Sequence, residues 1–266
     1  MIHFLEELKL RNEALFYYGL ACLILSLIFL LLSKFDHTQV YNISAWHKPF
    51  KFSLSTCLFS WAMGWYCYYL PDFNVNPFNI TVILLLSFEI VYIAIQAGRG
   101  QLSHFNLSTP FYSAMYSMMA LAATIVTVYS AYIGYLFFTT KFPDLPSYYV
   151  SAIRWGILIF VVFSFEGFVM GSKLTHTIGG ADGGVGIPVL NWSTQYGDPR
   201  IAHFIGMHAL QILPIISWYF LKNRSLVMVA VALYGSLAVL TLVQALQGKP
   251  LIKSPLNSTI NNQKNE

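Results

Sequence analysis

Seven apolar runs, at about 14–33, 50–70, 79–98, 111–138, 150–171, 201–221 and 225–247, constrain the fold of this chain more than any other feature. Each comes close to the roughly 20 residues that a helix needs to cross a hydrocarbon core. Backbone amides inside lipid must be satisfied within their own segment, so the runs are predicted to be helices, and the ten-residue alternating segments of an outer-membrane barrel are absent. Composition agrees, with 56% hydrophobic and only 10% charged residues and a mean hydropathy of +0.59, whereas a soluble domain is about 25% charged. The expected fold class is an all-α integral membrane protein, a bundle of about seven transmembrane helices arranged as three hairpins and a closing helix.

The first run follows Lys9 and Arg11 as a secretory signal would, but it ends in Ser33-Lys34-Phe35-Asp36. That is no small-residue cleavage site, so the run reads as an uncleaved span. Residues 1–13 alternate apolar and charged and suit an interfacial segment. Residues 14–250 form the transmembrane domain, with a Gly-rich loop at 172–200, and 251–266, rich in Asn, Ser and Lys, read as a disordered polar tail. Cys22, Cys57 and Cys67 all fall inside apolar runs, which offers packing rather than a disulfide framework or a CxxC metal pair.

A net charge of +4 in such a chain is a topology signal, not a mark of nucleic-acid binding. With the amino terminus outside, the first, third and fifth connections and the carboxyl tail hold nine of the fifteen basic residues: Lys34, Lys48, Lys51, Arg99, Lys173, Arg200, Lys249, Lys253 and Lys264. The connection from Leu70 to Pro77 has neither Lys nor Arg. The expected orientation is therefore amino terminus outside and carboxyl terminus cytoplasmic, in a plasma (inner) membrane.

Five of the seven histidines, His37, His47, His104, His176 and His203, sit in or beside those same odd-numbered connections. In a serpentine bundle these connections share one membrane face. Around the histidines cluster Lys48, Lys51, Arg99, Asn106, Asp182, Asn191, Asp198 and Arg200. Such a gathering of titratable groups at the mouth of a bundle points to a site. Five glycines between 179 and 186 permit close backbone approach and an anion-holding nest, but no Gly-Lys-Ser/Thr follows and no strand precedes, so neither a P-loop nor a Rossmann turn is present.

Deeper in the runs, Glu89, Tyr92 and Gln96 share one helix face, about 15 Å down for Glu89 at 1.5 Å per residue. A carboxylate there costs about 2.5 kcal/mol or more to insert. Arg200, His208 and Gln211 form a stripe on another helix, with His208 at a depth that permits contact with Glu89. His203 stands about 140° from His208, so the two cannot chelate one ion as an i,i+4 pair would. Glu166 and Lys173 invite a simple pairing near a helix end.

Several seven-helix chemistries fail on particular residues. The last run has no Lys for a retinal Schiff base and no His for a zinc-hydrolase pair. Three classes remain. The leading one is a membrane-embedded enzyme or binder of a lipid or lipid-linked anionic substrate. In it Lys48, Lys51, Arg99, Asn106, Asp182, Asn191, Asp198, Arg200 and Gln211 hold the substrate, and His104, His203, His208 or Glu89 act as acid or base. The second is a proton-coupled transporter or channel using Glu89 and His208. The third is a redox protein with haem, and a metal ion held among His104, His176, His203 and His208 belongs to the same open question.

Overall fold

A computed structural model describes residues 2–253 of the chain. The order is α1 (Ile2–Arg11), α2 (Glu13–Phe35), a two-stranded hairpin β1 (Gln39–Val40) and β2 (Ile43–Ser44), α3 (His47–Cys67), α4 (Val75–Gly98), α5 (Pro110–Thr139), α6 (Ser147–Lys173), α7 (Pro199–Ile216, continued as a π turn over Ser217–Leu221) and α8 (Arg224–Leu246). All seven apolar runs are helical, and the chain is an all-α membrane-type bundle. Most of the expected tail, residues 254–266, lies outside the described residues.

Among the described residues six helices are long and apolar enough to cross a membrane. The seventh run forms α3, which falls short of that apolarity because it carries His47, Lys48, Lys51, Ser53, Ser55, Thr56 and Ser60. Burial supplies the physical reason: ten of its residues, from Pro49 to Cys67, are buried against other helices. A helix wrapped by its neighbours need not present hydrocarbon on every side.

Local signals set the ends. Pro110 and Pro199 occupy first-turn positions, where a missing N–H costs nothing, and Thr109 and Asp198 cap those helices through their side chains. α1 is a helix, as the alternating charges suggested, but it is docked rather than loose. Arg11 lies 3.9 Å from the Trp65 ring and bonds Glu7 at 2.9 Å, and Asn12 exchanges amide hydrogen bonds with Asn79 at 2.9 and 3.0 Å. α6 and α7 approach closely because Gly156 faces the Ala209 carbonyl and Gly206 faces Phe163, leaving no room for a side chain at either position.

The two halves of the bundle differ in kind. Toward the face where α1 sits, Phe59, Met63, Phe78, Val82, Ile133, Phe137, Ile153, Ile157 and Leu210 form one continuous apolar core. Toward the other face the interior holds most of the buried polar groups, among them Ser53, Glu89, Gln96, Glu166 and Asp198. The odd connections meet at this polar end. Gly100 packs on Thr38, Gly183 on Tyr41, and Gly197 against the Ala245 carbonyl at the end of α8.

That convergence is testable. Single cysteines replacing exposed Asn42, Leu107 and Val185 should react with a membrane-impermeant maleimide from one side of sealed vesicles, and cysteines at Asp72 and Asp144 from the other. The native thiols are buried and give little background. Labelling of the first three from different sides would refute the arrangement.

Candidate functional site

The long connection between α6 and α7 is a folded element, not a flexible strap. Ile178 and Gly197 exchange backbone hydrogen bonds at 2.8 and 3.1 Å, and a second bridge joins Gly186 to Ser193. Asp198 organises the far end: it caps α7, accepts the Ser193 N–H at 2.8 Å, and takes both the Nε and a terminal nitrogen of Arg200. Arg200 also donates to the Asn191 carbonyl, and Lys51 reaches across from α3 to the Leu190 carbonyl at 2.8 Å.

At the near end, Asp182 is the centre. Its carboxylate accepts the Thr175 and Thr177 hydroxyls, both at 2.8 Å, the His176 backbone N–H at 3.0 Å and the His176 Nδ1–H at 2.9 Å. Burial alone would raise this carboxyl, but the donors from His176 and Thr177 outweigh it and hold it below the usual carboxylate range. The bond from Nδ1 fixes the imidazole tautomer and leaves Nε2 free. Burial pushes His176 down to about 4, against the opposing pull of Asp182, so the ring is neutral at physiological pH.

His104 stands beside this pair. Its Nδ1 lies 3.2 Å from the Ser103 hydroxyl, and its ring packs against Phe52, Phe105 and Tyr116. Phe105 also packs on His176, with ring centres 4.7 Å apart. Burial, then the charge of Lys48, hold His104 well below its ordinary pKa. Lys48 lies within electrostatic reach of His104, His176, Asp182 and Glu89, and no hydrogen bond engages its amine. Residues from the third and fifth connections and α3 thus form one half-buried cluster.

Next to the cluster opens a cleft of about 440 Å³, walled by the hairpin residues Tyr41 to Ser44, by His47, and by Gly183 to Val189 with Asn191. His47 precedes Lys48 and Gly183 follows Asp182, so the cleft is lined by chain neighbours of the cluster.

Other expected site residues fall elsewhere. His208 bonds Gln211 at 3.3 Å and packs on Phe204; no hydrogen bond or ion pair joins it to Glu89. His203 faces Glu166, with Nδ1 3.3 Å from Oε2, so the simple pairing of Glu166 with Lys173 gives way to a contact between α6 and α7, and Lys173 is exposed. Arg99 is exposed at the end of α4. Asn106 closes its own turn through Leu102 and Ser108. Asp198, Arg200 and Asn191 brace the loop. Among the described residues no group of three or more His, Cys, Asp or Glu side chains is placed to hold a metal ion, so the four histidines do not form one metal-ligand set.

Sequence reading passed over Thr175 and Thr177, which flank His176 and supply two of the four donors to Asp182. The signal was present: hydroxyls on both sides of a histidine, with an aspartate five residues on from Thr177. It also passed over Asp36, which accepts from Thr38 and from the Trp46 indole at 2.8 Å and ties the first connection to the start of α3. Comparison of the chain with protein-family models, with characterised proteins and with solved structures found no match.

Two outcomes follow. Asp182→Ala leaves both N–H donors of His176 without their acceptor, although the Thr177 hydroxyl retains the Gly180 carbonyl, and should lower stability by on the order of 3 kcal/mol in detergent melts. Because folded His176 takes up a proton less readily than the unfolded chain, acid favours unfolding. Its stabilising contribution should be complete above pH 6.5 and lost as pH falls toward 4. His176→Gln should flatten that part of the melting profile, and an unchanged profile would remove His176 from the account.

Proposed function

We propose that this protein is a membrane-embedded enzyme or binder acting on a lipid or lipid-linked anionic substrate at the face where its odd connections converge. One observation carries the reading: His176, oriented by Asp182, lies beside His104 and the unengaged Lys48, and the chain neighbours of this group, His47 and Gly183, line a cleft. Lys48 is the cation for the anionic group, and a neutral imidazole with a fixed tautomer and a free Nε2 is equipped as an acid or base. In this reading Lys51 exchanges the Leu190 carbonyl for the ligand, since a full negative charge attracts the ammonium more strongly than a carbonyl dipole does. α3 is the seventh crossing, in a plasma membrane with the amino terminus outside and the carboxyl terminus cytoplasmic.

A proton-coupled transport reading draws on Glu89, buried with an unpartnered oxygen. The apolar core in the opposite half disfavours it: Phe78, Met63 and Ile133 are fully buried there, and the buried Asn12 and Asn79 on that side bond each other. A haem reading needs two imidazoles facing one another across open space, and Phe105 packs on both His104 and His176.

Native mass spectrometry with metal analysis on gently purified full-length protein is the direct test. A co-purifying anionic lipid is expected, with retention reduced on the order of tenfold or more by Lys48→Met and by His176→Gln, and little changed by Arg99→Ala. Retention of the same lipid by all three variants would sink the assignment, and a bound haem would transfer the protein to the redox class.

A further inference from the structure

Beneath the cationic cluster lies a face of buried oxygen atoms to which no described residue donates a hydrogen bond of good geometry. α4 carries Glu89, Tyr92 and Gln96 at i, i+3 and i+7, which places them along one side of the helix. These three residues are 5%, 6% and 1% exposed. Among the described residues Glu89 Oε1, the Tyr92 hydroxyl and Gln96 Oε1 have no hydrogen-bond partner of good geometry, although the Gln96 side chain neighbours the Tyr92 hydroxyl. On α3, the Ser53 hydroxyl is also buried and without a partner among the described residues, and its chain neighbour Phe52 packs against the cluster of Tyr92, Ile93 and Met119.

Buried polar atoms are rarely left unpaired in native proteins, and each one so left is expensive. An amide carbonyl oxygen can only accept, and a carboxyl group offers an acceptor oxygen in either protonation state, so a group that satisfies this face must be able to donate. Two links tie this face to the cluster above it. Lys48 is in electrostatic reach of Glu89, and Gln96 Nε2 donates to the carbonyl of Leu102, two residues before His104. The existing positive charge of Lys48 disfavours a second bare cation. A neutral group bearing several hydroxyls meets the requirement.

We propose that the ligand of this site is a phosphate ester of a hydroxyl-rich alcohol, its phosphate at Lys48 and its hydroxyls on the Ser53, Glu89, Tyr92 and Gln96 face. This rests on the reading of the cluster as an anion site and narrows it to a substrate class. Specificity then comes from the lower face. Buried acceptors that find no donor on the wrong ligand reject it more strongly than an apolar wall would.

The test uses full-length protein in detergent and measures binding of dihexanoyl phosphatidylinositol against dihexanoyl phosphatidylmethanol. The two lipids share chains and phosphodiester and differ in the hydroxyls. Wild type should prefer the inositol lipid by on the order of tenfold or more. Glu89→Gln and Gln96→Leu, each checked for an unchanged elution profile and helix content, should reduce the preference while phosphatidylmethanol binding persists. Lys48→Met should weaken both lipids. A third ligand, inositol monophosphate, separates a soluble ester from a lipid headgroup: comparable binding assigns the site to the former, and much weaker binding to the latter. Equal wild-type affinity for the two lipids overturns the hydroxyl-binding face and leaves the anion site standing. A preference that survives both lower-face variants also overturns it. Failure of wild type to bind any of the three overturns the anion site and this inference together.

Discussion

A helix that satisfies its own backbone inside lipid must leave the bilayer before it can turn, and this requirement underlies the rest of the structure. Six helices with the membrane-crossing pattern, and α3 packed among them, alternate in direction, so every second connection returns to the same end. Groups more than a hundred residues apart in the chain become neighbours without any sheet or long-range strand pairing. Lys51 meeting Leu190, 139 residues later, is one result. The packing of Phe105 on His176 joins two further connections in the same way. What sequence separation would make entropically difficult in a soluble chain is here imposed by the geometry of the bundle.

The same requirement divides the interior. One half is filled by large apolar side chains at almost zero exposure, and this half provides the close packing that fixes the helices against one another. The other half can then hold Glu89, Gln96, Glu166 and the cluster around Asp182. Buried polar groups gain nothing from desolvation and must be tolerated by a structure already stable without them. Glycines contribute at the contact between α6 and α7, where Gly156 and Gly206 let backbones approach more closely than any side chain would allow.

Much of this architecture was legible in the sequence, because length and apolarity of a run are nearly sufficient to define a membrane-type helix. All seven runs are helices, and helix starts at Pro110 and Pro199 follow from proline and capping chemistry. Apolarity failed as a guide at α3, since a helix surrounded by protein is released from the composition that lipid demands. The candidate site was legible as a place and not as a set of roles. Charge and hydrogen-bonding capacity can be read from residue type, but which partner consumes that capacity cannot. Arg200 looks like a ligand-binding cation, yet Asp198 and a loop carbonyl engage it. Glu89 and His208 have comparable depth, yet helix rotation sends His208 toward Phe204 and Gln211.

The loop that walls the cleft shows how such engaged cations still matter to the site. Val189 and Asn191 both adopt left-handed backbone conformations, with φ of 65° and 57°. For a β-branched residue this is an outlier, and such conformations persist only where surrounding contacts over-determine them. Here the contacts are Lys51 from α3 and Arg200 from α7, each donating to a carbonyl in the same turn. Two positively charged side chains holding neutral acceptors are a clamp that an anion can compete for, while the Asp198 carboxylate keeps Arg200 in place whether or not the turn moves. The wall of the cleft is therefore fixed to α3 and α7 by one charged donor from each helix.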